Sequence, residues 1–411
     1  MKKLQKFMSL AICCTMAASL VTGCGSSEKT EGTNNSGSEK APTETTADGN
    51  GESQASAGGS FKIGGIGPIT GGAAIYGTNV QNGAQIAIDE INAAGGVNGY
   101  MLEFKFEDDE HDAEKSVNAY NSLKDWGMQM LMGTVTSTPC QAVAAKTYED
   151  NMFQLTPSGS APSCVQYDNA FRICFSDPAQ GFASAQYIGQ NKLATKVAVI
   201  YDSSDVYSTG IYENFYSEAA NQGLEVVAAE AFTADSKTDF SVQLQKAKDA
   251  GAELVFLPIY YQEASLILTQ SSGMGYEPIF FGCDGLDGIL TVDNFDTSLA
   301  EGVMLLTPFA ADATDDLTVN FVTKYKELYG ETPNQFAADA YDCIYTIAAA
   351  LEKSGATPDM SSSDLCDALK TAMTEITVDG LTSPGITWNA SGEPTKEPKA
   401  VKIVNGVYTA M

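Results

Sequence analysis

Chemistry that needs an imidazole has one candidate in this 411-residue chain, because His111 is its only histidine. It stands in the acidic run Asp108-Asp109-Glu110-His111-Asp112. A serine or cysteine nucleophile seeking a histidine base would have to use it, and no G-x-S-x-G elbow accompanies it. The run lacks the glycine and spaced ligands of an EF-hand loop, so it reads as a solvated strand end rather than a calcium site. No carboxylate pair sits at a position recognisable for glycoside hydrolysis. One histidine and no CxxC leave no basis for a zinc site. The loop Gly65-Ile66-Gly67-Pro68-Ile69-Thr70-Gly71-Gly72 follows a strand and precedes a helix, as a dinucleotide fingerprint requires. Its third glycine is displaced, however, and Pro68 sits inside the turn. These glycines are expected to let a turn approach another ligand or to cap the strand. No enzyme, metal or cofactor is expected.

Cysteine offers a different chemistry at the start of the chain. Lys2, Lys3 and Lys6 lead into an apolar stretch from Phe7 to Val21, then Thr22-Gly23-Cys24. That stretch is too short to span a bilayer and reads as a secretory signal peptide over residues 1–23. Small residues running into a cysteine resemble a bacterial lipobox, with cleavage before Cys24 and diacylation of its thiol. Two acyl chains anchor far better than one, since each buried methylene adds roughly 0.8 kcal/mol. Residues 24–60 are mostly Gly, Ser, Thr, Asn and Glu, a hydrated tether without a core. The expected location is the extracytoplasmic face of the cell membrane, held there by lipid. Cys140, Cys164, Cys174, Cys283, Cys343 and Cys366 remain in the mature part. Export permits disulfides without forcing them. Cys164 and Cys174 bracket a polar loop and are the expected local pair, the others reading as buried thiols.

The elements that must position these residues lie beyond the tether, in about 350 residues, which is long for one core and suggests two lobes. Phe61 to Ile69 is an apolar strand, and Val80, Ala84, Ala87, Ile88 and Ile91 share a helix face that Gly95-Gly96 stops. Leu102, Phe104 and Phe106 alternate with charged residues in a half-buried strand. Met128 to Met132 is a short strand, followed by a Ser/Thr cluster and a helix from Pro139 to Asp150. The theme repeats through the strands at Phe153, Val197, Val226 and Leu254. Near-continuous apolar strands separated by helices predict parallel sheets covered on both faces. Ligands of such sheets bind beyond the carboxyl ends of the strands. The net charge of −29 argues against a nucleic-acid partner.

From Phe61 onward the chain resembles the branched-chain type of amino-acid-binding protein, within the periplasmic-binding-protein group that serves ABC importers. Thr70-Gly71, Tyr76-Gly77 and the run Asp89-Glu90-Ile91-Asn92-Ala93-Ala94-Gly95-Gly96-Val97-Asn98-Gly99 carry the resemblance. It continues through Asp108-Asp109, Ser137, Tyr148-Glu149-Asp150 and Thr156-Pro157, then Tyr207, Tyr260 with Glu263, and Gly282-Cys283-Asp284-Gly285. It implies a two-lobed α/β fold of the type I periplasmic-binding-protein class, with three crossings between lobes. One lobe would hold residues 61–176 and 310–382, the other 177–309 and 383–411. The implied function is capture of an amino acid by hinge closure and its delivery, by a monomer, to an ABC permease. The same fold could instead sense a ligand for a membrane receptor, or bind another small polar metabolite.

The family's binding positions fall here on Ser137, Ser158, Ser160, Asp284, Tyr76, Tyr207 and Tyr260. Ser137 and nearby backbone N–H groups would face the ligand carboxylate, aided by a helix dipole. Ser158 would offer its carbonyl oxygen to the ammonium, Ser160 its hydroxyl, and Asp284 the counter-charge. The three tyrosines would wall the side chain. Aliphatic-amino-acid members carry threonine and glutamate at the positions of Ser160 and Asp284. The disulfide of some relatives is absent, since His111 and Thr136 stand in its place.

Overall fold

The computed structural model describes residues 58–411. The expected signal peptide, Cys24 and nearly all of the tether lie outside the described residues. The first part runs β1 (Ser60–Gly67), α1 (Ala74–Ala93), β2 (Met101–Asp108), α2 (Ala113–Trp126), β3 (Met130–Gly133), α3 (Ser137–Glu149), β4 (Phe153–Thr156) and β5 (Ala170–Arg172). The second runs α4 (Asp177–Gln190), β6 (Lys196–Asp202), α5 (Val206–Ala219), β7 (Glu225–Phe232), α6 (Ser241–Asp249), β8 (Leu254–Leu257), α7 (Tyr261–Gly273), β9 (Ile279–Gly282) and β10 (Met304–Thr307). Last come α8 (Asp316–Tyr329), α9 (Gln335–Ser354), α10 (Ser362–Met373), β11 (Lys399–Val404) and β12 (Val407–Ala410). No helix among the described residues is long and apolar enough to cross a membrane.

Two sheets result, with strand orders β2-β1-β3-β4-β5 and β12-β11-β10-β9-β8-β6-β7. All pairings in the first are parallel. The second is parallel from β7 to β10 but closes with β11 and β12 antiparallel, so the expectation of purely parallel sheets fails there. Between β11 and β12 the cause is local: Asn405-Gly406, both at positive φ, make a tight turn that returns the chain at once. In each sheet the order reverses between two neighbours, β1 and β3 in one, β6 and β8 in the other. Connections leave those strands in opposite directions, and a crevice opens beyond their carboxyl ends.

Helices α9 and α10 return to the first sheet, α9 lying along α1. That approach depends on Gly83, where a Cβ would collide with the backbone carbonyl of Ala337. In β1, side chains at Gly64 and Gly65 would strike Met128 and Phe106, so these glycines serve close packing rather than phosphate binding.

The chain therefore passes between the sheets after β5, after β10 and before β11. The stretch from Ser383 onward, expected on the second lobe, lies first against β5. Arg172 N donates to Gly392 O (3.0 Å), and Trp388 Nε1 donates to Arg172 O (2.7 Å). An edge strand has backbone groups that need a cover, and this segment supplies it. Lys396, whose side chain is fully buried, then pins the last passage by donating to Asp339 Oδ1 (2.7 Å) and Ile173 O (3.1 Å).

Candidate functional site

The loops beyond β3 and β4 are knitted together by small hydroxyl side chains. Ser137, the first residue of α3, accepts through Oγ from the N–H groups of Ser160 and Ala161 (3.2 Å each). Ser158 Oγ donates to Val135 O (2.6 Å), and Thr156 Oγ1 donates to Thr134 O (2.6 Å). Beneath them lies Arg172, fully buried, whose guanidinium donates to Gly159 O (3.1 Å), Ser160 O and Ala161 O (3.1 Å) and pairs with Glu393 (3.2 Å). Three successive carbonyls are thus turned toward Arg172, whereas that of Ser158 is not. Sequence reasoning missed this organiser. Its signal was composition: Arg172 is the only arginine in the chain.

Opposite stand residues of the second sheet. Tyr207, in the first turn of α5, stacks on Tyr260 with ring centres 4.9 Å apart and planes 18° apart. Tyr76 from α1 meets Tyr260 edge-on at 5.4 Å and packs on Phe336 at 4.3 Å. Asp284 follows β9. Its Oδ1 accepts from Tyr207 Oη (2.7 Å), and its backbone N–H donates to Gln180 Oε1 (3.1 Å). Gly285 N–H donates to the same Tyr207 oxygen (2.9 Å), and a side chain at 285 would sit 2.6 Å from it. Burial pushes Asp284 up to about 7, against the lowering effect of the Tyr207 hydrogen bond. The same desolvation raises the phenols of Tyr76, Tyr207 and Tyr260, which stay protonated.

Several hydrogen bonds join residues of the two sheets' layers across this point. Tyr76 Oη donates to Gly285 O, and Gln335 Nε2 donates to Asp284 O (2.8 Å). Gln335 N–H donates to Asp287 Oδ2 (2.9 Å), and Thr138 Oγ1 to Asp205 Oδ1 (2.9 Å). The molecule is closed, and Tyr76, Ser137, Ser158, Tyr207, Tyr260 and Asp284 line one cavity of about 10 Å³. That is room for about one water. Ser160 is not among the lining residues but lies directly behind, its Oγ 3.5 Å from Ser137 Oγ. All seven sequence-derived residues therefore meet at one place. Gln180, Gln335 and Phe336 were not foreseen.

Two expectations are corrected. Cys164 and Cys174 form no disulfide: the six cysteines of the mature part are all free and buried. Cys164 instead faces α3, where Cys140 lies. The acidic run around His111 is a solvated strand end only in part: Glu110 and Asp112 are exposed, but Asp109 is not. Asp109 is fully buried, and burial pushes it up to about 7. Asp108 accepts from the N–H of Ile69 (2.9 Å), and Asp112 caps α2. His111 Nδ1 lies 2.8 Å from Thr136 Oγ1, and its ring meets Tyr260 edge-on at 5.4 Å. His111 and Thr136 are thus joined at the cleft's edge by a hydrogen bond.

Residues 60–406 match the protein family described as "Periplasmic binding protein". A Leu/Ile/Val-binding protein homolog of Brucella melitensis is 30% identical over 302 residues, 73% of this chain and 81% of that protein. A leucine-, isoleucine-, valine-, threonine- and alanine-binding protein of Pseudomonas aeruginosa is 30% identical, over 72% of this chain and 79% of its own length. In three dimensions the chain is similar to the isoleucine complex of a branched-chain amino acid transporter substrate-binding protein from Streptococcus pneumoniae. The TM-score is 0.78 at 28% identity, covering 85% of this chain and 98% of that one.

Proposed function

Because this chain belongs to the periplasmic binding protein family, whose members bind solutes rather than transform them, we propose that it captures an aliphatic or aromatic amino acid between its lobes and hands it to an ABC permease. One observation carries this reading: a carboxylate and a helix N-terminus face each other across a cavity walled by tyrosines. That bipolar arrangement suits a zwitterion with an apolar side chain. Ser137 Oγ already accepts two N–H bonds, so its own proton is free for a ligand carboxylate. The backbone N–H groups at the start of α3 add to it. Ser158 has its hydroxyl committed to Val135 and its carbonyl uncommitted by Arg172, as an ammonium acceptor needs. Ser160 Oγ and Asp284 complete the ammonium site. Tyr76, Tyr207 and Tyr260 take the side chain.

An amino acid does not fit in about 10 Å³, so binding requires the lobes to part and reclose around it. In this reading the lobes are residues 61–176 with 310–382 and 177–309 with 383–411, the return beginning along β5. The protein acts as a monomer, lipidated at Cys24 and tethered outside the cell. A thermal-shift screen of the common amino acids on the chain from Phe61 onward tests the reading. A rise in melting temperature with branched-chain or aromatic members is expected, because a ligand that binds only the folded state stabilises it by mass action. A rise with none of them overturns the amino-acid assignment.

A further inference from the structure

Cys140 and Cys164 share a small apolar cluster with Ala161, and both are sealed from solvent. Cys140 lies in the first turn of α3, on the helix that begins at Ser137. Cys164 lies in the short 3-10 turn Pro162–Val165 that follows the Ser158–Ala161 loop. The Cys164 thiol points back at α3: its Sγ is 3.7 Å from Ser137 O, in the same buried cluster as Cys140. Gln154 Nε2 donates to Cys140 Sγ at 3.3 Å. Gly159 closes the space, since a Cβ there would come within 2.8 Å of the Cys140 sulfur.

The geometry points to a Cys140–Cys164 disulfide, formed after export, that ties the first turn of α3 to the Pro162–Val165 turn and braces the two loops presenting Ser137 and Ser158. Both thiols are sealed in the folded chain, so the exchange takes place while this segment is open, as the chain folds. One of the two, as its thiolate, displaces one sulfur of an incoming disulfide oxidant, forming a mixed disulfide and releasing one thiolate. The other gives up its proton and attacks the protein sulfur of that mixed disulfide, releasing the second. Two protein thiols lose two protons and two electrons, and the oxidant takes up both electrons as a pair of thiols. Only the source of that oxidant rests on the extracytoplasmic reading.

The test is incubation of the purified mature chain with oxidised glutathione in mild denaturant, then refolding by dilution. Alkylation of the remaining thiols under denaturing conditions and peptide mass spectrometry map the product. A linked Cys140–Cys164 peptide is expected, with the other thiols alkylated. Melting temperature should rise by roughly 5 °C or more, reversibly with dithiothreitol. The rise should vanish in Cys140→Ala and Cys164→Ala and persist in Cys174→Ala. If the alanine variants do not fold, the mapping and melting of the wild-type chain decide alone. Full alkylation after oxidation, a Cys164–Cys174 link, or a linked protein that melts no higher would each overturn the inference. Amino-acid binding is not the readout, so such a failure leaves the proposed function standing.

Discussion

Tyr207 holds Asp284 through a 2.7 Å hydrogen bond to Oδ1, and its oxygen also accepts the Gly285 N–H at 2.9 Å. The acid is thereby fixed in place while burial pushes it up to about 7. The folded chain keeps a proton on Asp284 that the unfolded chain loses near its ordinary value of 3.8. This contribution to stability is fully present below that value and is lost as pH rises through about 7. In the proposed function, an arriving ammonium would reverse the preference by favouring the carboxylate.

Ligand binding should therefore release a proton at about pH 6 and tighten as pH rises toward about 8. Calorimetry in buffers of different ionisation enthalpy reads this directly. An enthalpy independent of the buffer would mean that Asp284 does not meet the ammonium.

Asp284→Asn and Ser137→Ala should each weaken binding more than tenfold, or roughly 1.4 kcal/mol. The serine change has a second cost. It leaves the Ser160 and Ala161 N–H groups without their acceptor, worth about 1–3 kcal/mol of stability when such groups stay unpaired. Titration on protein confirmed folded by circular dichroism separates the two effects, and unchanged affinity in both variants would remove these residues from the site.

The tyrosine walls should favour leucine, isoleucine, valine or phenylalanine over aspartate, glutamate or lysine, whose charges would be desolvated without a partner. Tyr207→Ala should reorder that preference more than it lowers affinity for the shared backbone groups. Competition binding across these ligands measures it, and a wild-type preference for acidic ligands would contradict the pocket assignment.

Closure should depend on Tyr76, whose hydroxyl donates to Gly285 O and accepts from the Tyr261 N–H at 3.2 Å. Small-angle scattering should show the radius of gyration falling when the preferred ligand is added. Tyr76→Phe should require more ligand to reach the same contraction. A chain that binds without contracting would rule out hinge closure.

Cys24→Ala should abolish lipidation and release a folded protein from the membrane. Labelled palmitate is the probe, and its failure to enter the wild-type protein in its own host would dismiss the lipobox.

Local pattern in the sequence determined much of this protein. Apolar runs and helical faces mark β1, α1, β2 and β8, because each periodicity records which side of an element is buried. The Asp89–Gly99 run and the single residues after each strand carried the family and the seven candidate site residues. What meets what, however, is decided by sheet order, which brings together residues far apart in the chain. Only the tertiary structure turned three carbonyls onto Arg172, buried Asp109, and set Cys164 against Cys140 instead of Cys174. The antiparallel β11–β12 hairpin escaped for a related reason. Its strands are short and largely uncovered, so their place rests on β11 pairing with β10 and β12 with β11.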